Sequence, residues 1–274
     1  MKNLIPPTKK IDWYVTISQQ KREPKKSLLL GLREQVQIRY MEYEAFADSS
    51  QLVMMTESPF PANEKGALLD CRGTKSWVDL RDHIRKIQTV ESQSICQMCG
   101  IGEPLTLDHY LPKEEFPEFT ALSINLLPCC PICNMKKSDR WKDGTERIYI
   151  NLYYDLLPSE KYLSCVYSEN GGKPNVYFEL IDSGQIERPF FNLISSHFKN
   201  LDLLRRYSAR ANSELFALRD PLQKMVKSLD RDSARAELFN HARGVKITYG
   251  QNYWRTAVAE SLAESDDFLA SAGL

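Results

Sequence analysis

Two Cys-x-x-Cys pairs constrain this chain more than any other feature of its sequence. The first pair is Cys96 and Cys99, the second is Cys130 and Cys133, and 30 residues separate them. Four thiolates at this spacing can close a tetrahedral zinc site. In such short modules zinc binding contributes about 10–16 kcal/mol to folding. We therefore expect a structural Zn²⁺ on these four cysteines, with a loop between the pairs that is long enough to carry structure of its own.

The other three cysteines have no partner at ligand spacing. They are Cys71, Cys129 and Cys165, and the total of seven is odd. We expect each to be a small buried hydrophobic residue. Cys129 could replace Cys130 as a ligand, but the spacing to Cys133 favours Cys130. Cysteine pairs that bind metal rather than each other are typical of a reducing compartment.

Between and just after the pairs lie residues suited to phosphodiester hydrolysis. They are Asp108, His109, Asn125 and Asn134. Imidazole, with an ordinary pKa of about 6.5, can accept a proton from water near neutral pH. Carboxylate and amide oxygens are ligands that Mg²⁺ prefers. A lone Asp-His dipeptide would fit a structural histidine better, but its position between two cysteine pairs favours a catalytic one.

The order of these residues resembles the zinc-containing HNH endonucleases of the ββα-metal fold. The matching segments are Asp108-His109-Tyr110-Leu111-Pro112, then Asn125-Leu126, then residues 130–137 (Cys-Pro-Ile-Cys-Asn-Met-Lys-Lys). The third signature residue is Asn134 here, a common variant that still offers an oxygen ligand. Where the family often has Gly after Lys, this chain has Ser138. The motif covers about one seventh of the chain.

The resemblance implies a role for each residue. His109 is the general base, Asn125 orients its ring, and Asp108 and Asn134 bind the catalytic Mg²⁺ or Mn²⁺. Lys137 falls where the family often has a basic residue near phosphate. Together with its basic neighbours Lys136 and Arg140 it is our candidate substrate-binding set.

The flanking sequence is similar to a narrower group, the HNH subunits (PtuB) of Septu-type antiphage defence systems. The similar segments are residues 108–113, 116–119 and 125–130, and a later one from His197 to Tyr207. The resemblance implies a nucleic-acid-cleaving effector that works beside an ABC-type ATPase (PtuA), in some cases together with a retron.

Length and composition bound the remaining possibilities. The chain has 274 residues, 42% of them hydrophobic, and no apolar run long enough to span a membrane. We expect a cytoplasmic protein, because the N-terminus is too short and proline-broken for a signal peptide. The formal net charge is zero, which predicts weak binding of DNA or RNA by the isolated chain and help from a partner.

The resemblance implies an α+β protein with a ββα-metal HNH module, and hydrophobic patterns predict helical segments on both sides of that module. We expect a mainly helical region over 1–94, the HNH module with a following β segment over 95–187, and a helical region over 188–274. In detail, the patterns predict a short strand at 13–17, a helix over 25–50 and a loop over 57–74. They further predict a helix from Ser76 to about 89, strands at 148–153, 162–167 and 176–180, and a helix start at Pro221. The resemblance implies a further helix start near Asn134.

Less specific interpretations compete with these. The chain could be a zinc-ribbon binding or scaffold subunit without chemistry. A hydrolase that uses this zinc is disfavoured, because four cysteines leave no open coordination position. Trp141 could stack on a base but fits a core aromatic better. Arg205, Arg206 and Arg210 could follow phosphates but fit a solvated helix face better. His83, His197 and His241 are each isolated and are interpreted as structural or surface residues.

Overall fold

The computed structural model describes residues 1–8, 12–170, 173–225 and 230–274. They form two compact units, an N-terminal unit of residues 3–157 and a C-terminal unit of residues 1–2 and 158–274. The chain mixes helices with two-stranded sheets. In the N-terminal unit the elements are α1 (Trp13–Gln19), α2 (Lys25–Gly31), α3 (Arg33–Asp48), α4 (Ala62–Leu69), α5 (Lys75–Lys86), α6 (Val90–Ser94), β1 (Thr106–His109), β2 (Leu126–Cys129), α7 (Pro131–Lys137), β3 (Lys142–Asp143) and β4 (Glu146–Arg147).

The helices of the N-terminal unit share one core with the β1–β2 hairpin. Apolar side chains from α1 to α5 meet Ala121 and Leu126 there, and Leu80, Ile84 and Leu126 are fully buried. Burial of each such side chain stabilises the fold by roughly 1.5–3 kcal/mol. The hairpin is therefore seated on a helical base, which fixes the position of the residues at its end.

The segment between the cysteine pairs forms a hairpin followed by a helix. Strands β1 and β2 are antiparallel, with Asp108 opposite Leu127 and His109 opposite Leu126. Helix α7 starts directly after β2, because Cys130 is its N-cap and Pro131 its first residue, where a missing N–H costs nothing. This order places Asp108 and His109 on β1 and Asn134 on α7.

In the C-terminal unit a hairpin packs against helices. The elements are β5 (Leu163–Asn170), β6 (Lys173–Leu180), α8 (Arg188–Asn200), α9 (Leu203–Met225), α10 (Arg231–Tyr249), α11 (Trp254–Glu264) and α12 (Asp266–Ser271). Helix α11 packs on β5 and α9 packs on β6. Tyr207 stacks on Trp254 at 6.1 Å between ring centroids, so this unit has an aromatic core of its own.

Several predictions of local structure are confirmed. The helix predicted over 25–50 is present as α2 and α3, and the strands predicted at 162–167 and 176–180 lie within β5 and β6. The helix predicted from Ser76 starts one residue earlier, at Lys75, because Thr74 accepts a hydrogen bond from the backbone N–H of Trp77. The helix of the candidate module begins at Pro131 rather than near Asn134.

Other predictions are wrong for identifiable reasons. The strand predicted at 13–17 is α1, because Asp12 caps the backbone N–H of Val15. The loop predicted over 57–74 contains α4, whose Ala67 and Leu68 are buried. The strand predicted at 148–153 is irregular, because the Asn151 carbonyl accepts hydrogen bonds from Tyr154 and Asp155 and turns the chain. Pro221 lies inside α9 instead of starting a helix.

The two units divide the chain near residue 158, whereas the sequence analysis placed boundaries after 94 and 187. The difference arises because α4 and α5 pack against the segment that holds β2 and the turns before it. Helices before residue 94 thus belong with the candidate module, and the β5–β6 hairpin belongs with the C-terminal helices.

None of the helices in the described part of the chain has the length and apolar character that crossing a membrane requires.

Candidate active site

Cys96, Cys99, Cys130 and Cys133 form one buried cluster, as predicted. Their four Sγ atoms all lie within 4.8 Å of one another, and the sulfurs of Cys99 and Cys130 are 3.8 Å apart. A tetrahedral zinc with bonds of about 2.3 Å to sulfur requires sulfurs about 3.8 Å apart. The cluster therefore fits a structural metal such as zinc, with four protein ligands and no open position.

Different hydrogen bonds of the backbone hold the two cysteine pairs. In the first pair, the N–H of Gly100 donates to the carbonyl of Cys96, and the N–H of Cys96 donates to the carbonyl of Gly102, each at 2.7 Å. In the second pair, the sulfur of Cys130 accepts from the backbone N–H of Cys133 at 3.4 Å. Hydrogen bonds from the neighbouring thiols hold the pKa of Cys130 far below its usual value, and the bond from Cys133 has the largest effect. Thiolate formation, which metal binding requires, is thus favoured at this residue.

The remaining cysteines lie outside the cluster. Cys71, Cys129 and Cys165 are all buried, and burial raises the pKa of each thiol. The prediction that they are small buried hydrophobic residues is confirmed. Cys129 does not replace Cys130, because it lies at the end of β2, where its carbonyl accepts from the hydroxyl of Thr106 at 2.9 Å.

Asp108 lies beside Lys137 in the interior. The Lys137 Nζ is 3.0 Å from Asp108 Oδ2, and the two side chains are 0% and 2% exposed. Burial raises the pKa of Asp108 to about 6, and the ammonium group of Lys137 opposes that rise. The same Nζ donates to the carbonyl of His109 at 2.7 Å. Lys137 therefore joins α7 to β1 and is not available to phosphate, which corrects its assignment to the substrate-binding set.

The His109 ring is held in one tautomer. Its Nε2 lies 3.2 Å from the carbonyl oxygen of Thr120. A carbonyl can only accept, so Nε2 carries the hydrogen and Nδ1 keeps the lone pair that can take a proton. Burial, reinforced by the positive charges of Lys113, Lys137 and Arg72, lowers the pKa of His109 to about 4. The imidazole is therefore neutral at physiological pH.

The Asn125 amide makes no hydrogen bond to the His109 ring in the described structure, which corrects the role predicted for it. Its fully buried amide braces the segment that follows β1: Oδ1 accepts from the Leu111 N–H at 2.8 Å, and Nδ2 donates to the carbonyls of Leu111 and Phe119 at 3.0 and 3.4 Å. Phe119 immediately precedes Thr120, whose carbonyl holds the ring. Asn125 thus positions His109 indirectly, through the backbone of this loop.

One open pocket of about 850 Å³ is lined by Asp108, His109 and Asn134 together. Asp108 Oδ2 is buried, and the Lys137 ammonium lies 3.0 Å from it without a well-directed hydrogen bond. A carboxylate and the amide of Asn134 lining one pocket are oxygen donors of the kind that Mg²⁺ or Mn²⁺ prefers. Three of the four residues predicted for catalysis are therefore brought to one cavity.

The other candidate residues named from the sequence do not line this pocket. Lys136 is half-buried and Arg140 exposed, and neither is among the residues that line this pocket. Trp141 is a core aromatic, the better of its two interpretations: it is 2% exposed, packs edge-on against Phe116 and donates from Nε1 to Glu115 at 3.1 Å. His197 is buried and His241 exposed, which agrees with structural and surface roles.

The pocket also contains residues that the sequence analysis did not assign. Arg72, Trp77 and Arg81 line it from α5 and from the loop that precedes that helix. Trp77, Arg81 and Arg85 recur every fourth residue, and this spacing places them on one helix face. That spacing is readable in the sequence, but only packing against the β1–β2 hairpin shows that the face belongs to the pocket.

Comparisons with known proteins give one relationship. The chain is 27% identical over 210 residues to protein ea31 of Escherichia phage lambda, an alignment that covers 69% of this chain and 70% of the phage protein. No protein-family model matches the chain, and no solved structure does. The phage protein's name states no activity, so the residues of the pocket carry the functional argument.

Proposed function

We propose that this chain is a metal-dependent endonuclease of the HNH type, which hydrolyses phosphodiester bonds of DNA or RNA. The single observation that carries the proposal is the shared pocket of Asp108, His109 and Asn134 beside a four-cysteine cluster. The order of hairpin and helix, with His109 ending the first strand and Asn134 on the helix, supports a ββα-metal module.

His109 acts as the general base in this proposal. Its neutral ring, with Nε2 held by the Thr120 carbonyl, takes a proton from water at Nδ1 and so produces the attacking hydroxide. A positioned base of this kind contributes on the order of 10² to 10⁴ in rate. Asn125 maintains the loop that aims the ring.

Asp108 and Asn134 would hold the catalytic Mg²⁺ or Mn²⁺. When bound, the cation supplies charge stabilisation at the scissile phosphate and the leaving oxygen. The chain's own contribution is to hold the two oxygen donors at fixed positions. Lys137 helps to hold Asp108 in place, because its ammonium group contacts both the Asp108 carboxylate and the backbone carbonyl of His109.

Zinc on the four cysteines would have a structural role. Cys130 and Cys133 frame the first turn of α7, so the metal fixes the helix that carries Asn134. Cys96 and Cys99 join that helix to the segment leading into β1. Loss of this zinc would therefore separate the two catalytic elements.

The wider setting that we propose is an antiphage defence complex in the cytoplasm, with an ABC-type ATPase partner (PtuA-like) and in some cases a retron. The similarity to Septu-type HNH subunits supports this proposal, as does the zero net charge, which favours a partner that helps to hold nucleic acid. Co-purification of the tagged chain with the products of neighbouring genes tests it, and recovery of a stoichiometric ATPase is the expected result.

The nuclease assay compares wild type with His109→Ala on supercoiled plasmid and on tRNA, with Mg²⁺ or Mn²⁺ and with any co-purified partner. His241→Ala is the matched control, because that histidine is exposed in the C-terminal unit. We expect His109→Ala to retain zinc and fold but to lose cleavage at least 100-fold, while the control cleaves as wild type does. Unchanged cleavage by His109→Ala would refute the mechanism.

A non-catalytic zinc-binding subunit is the second candidate. The observation in its favour is the buried pair of Asp108 and Lys137, which also suits a purely structural carboxylate. The absence of cleavage with every substrate, metal and partner, in a chain that still contains zinc, would support this alternative over the nuclease.

A further inference from the structure

Two arginines outside the HNH-like motif face the same pocket as the proposed catalytic residues. Arg72 lies in the loop before α5, and Arg81 lies in the middle of that helix. Neither guanidinium group has a hydrogen-bond or ion-pair partner in the part of the chain that the structure describes. Arginine residues that line a pocket without a protein partner are suited to an anionic ligand.

The other charged residues of the pocket wall either form ion pairs with neighbouring side chains or lie outside α5. Lys113 pairs with Glu114, and Asp108 pairs with Lys137. Asp139 is exposed and follows α7. The α5 side of the pocket is therefore positive, and the side formed by β1 and α7 holds the proposed catalytic groups. An anionic ligand would be drawn to the α5 side of the pocket.

The helix that carries Arg81 is anchored on both sides of that residue. Trp77, one turn before Arg81, is 8% exposed and belongs to the hydrophobic core. Arg85, one turn after it, donates from its guanidinium to the carbonyl of Leu105, another residue of the pocket wall. Arg81 is itself half-buried, so its stem is supported before any ligand binds. Less side-chain entropy is lost on binding when the cation is held in this way.

We propose that Arg72 and Arg81 bind the backbone phosphates of a nucleic-acid strand next to the bond to be cut. This inference rests on the proposed function, since it places the strand by reference to His109. Arginine contacts to phosphate position a nucleic acid without reading its sequence. The two residues are thus positioning residues, and they replace the predicted phosphate contact of Lys137, which is buried.

Salt dependence of binding measures such contacts directly. Each phosphate contact contributes about 0.9 to the slope of log affinity against log salt for duplex DNA and about 0.7 for a single strand. Loss of both arginines should reduce the slope by about 1.4–1.8 and weaken binding at low salt roughly tenfold or more. The effect should be the same for unrelated sequences.

The experiment uses the full-length, zinc-loaded chain carrying His109→Ala, so that the probe is not cut. Fluorescence anisotropy of a labelled 30-nucleotide strand and of its duplex is followed from low to physiological salt. Arg72→Ala, Arg81→Ala and the double variant are compared with Lys86→Ala, an exposed cation on the same helix outside the pocket. Arg81→Lys, which keeps the charge, should restore most of the slope.

The expected result is a lower slope and affinity in the arginine variants, with Lys86→Ala equal to the parent. An unchanged slope in the double variant, an equal loss in Lys86→Ala, or no binding by the parent would overturn the inference. In chains that retain His109, cleavage with an unchanged KM in the double variant would refute the arginine contacts and leave the nuclease standing. Arginine-dependent binding without any cleavage by wild type would support the arginine contacts and refute the nuclease.

Discussion

Lys137→Met should destabilise the N-terminal unit strongly at neutral pH, because it removes the cation beside a buried carboxylate. Lys137 and Asp108 are 0% and 2% exposed, and their charged atoms are 3.0 Å apart. Breaking a buried ion pair by removing one partner costs about 3–5 kcal/mol. The loss of the hydrogen bond to the His109 carbonyl adds to this cost. Methionine has a similar volume, so the effect is one of charge rather than packing.

The destabilisation should depend on pH in a defined direction. The pKa of Asp108 is raised to about 6 with the ammonium group in place, against about 3.9 in an unfolded chain. A raised carboxyl pKa removes stability as the pH rises from about 4 through 6. Without Lys137 the pKa rises further, so the deficit relative to wild type should be small at pH 5 and large at pH 7.5.

The stability of the N-terminal unit can be followed by zinc release into a colorimetric chelator during urea unfolding, because the cysteine cluster lies in that unit. With a urea dependence of about 2 kcal/mol per molar, the midpoint should fall by roughly 1.5–2.5 M at pH 7.5. Lys86→Met, an exposed helix position, should move it little. Asp108→Asn combined with Lys137→Met should recover much of the loss. A Lys137→Met midpoint equal to that of wild type at pH 7.5 would refute the reasoning.

Three further results are expected. In Gly102→Ala the new Cβ would lie 2.9 Å from the Cβ of Cys130, so zinc release should become easier by about 1–3 kcal/mol. The control Gly66→Ala meets nothing within 4 Å and should be neutral or stabilise α4 by up to about 1 kcal/mol. Cys99→Ser should leave less than one zinc per chain by elemental analysis and lose the cooperative thermal transition of the N-terminal unit. Asn125→Ala should cost about 2–4 kcal/mol, because buried backbone groups lose their partners. It should also lower kcat more than substrate affinity, and equal losses in both would contradict the loop-bracing role.

Much of the candidate site could be anticipated from the sequence, because its residue types are chemically specific. Cysteine pairs at two-residue spacing have few alternatives to metal binding, and the cluster of Cys96, Cys99, Cys130 and Cys133 is present as expected. The neighbours Asp108 and His109 occupy one short strand, so their joint position is a local property. The helix that follows Cys130 is also local, since Pro131 and the cysteine cap start it.

Tertiary structure alone decided the role of Lys137, the partner of Asn125 and the origin of the pocket's positive wall. A lysine in a basic run looks solvent-exposed, and only the packing of α7 on β1 buries it beside Asp108. Arg81 precedes His109 by 28 residues, and no local pattern links them. The sequence by itself determined which chemical groups are present and which strands and helices they occupy, because those depend on neighbouring residues. Which groups meet across elements depends on long-range burial of apolar faces, which single-sequence periodicity does not encode.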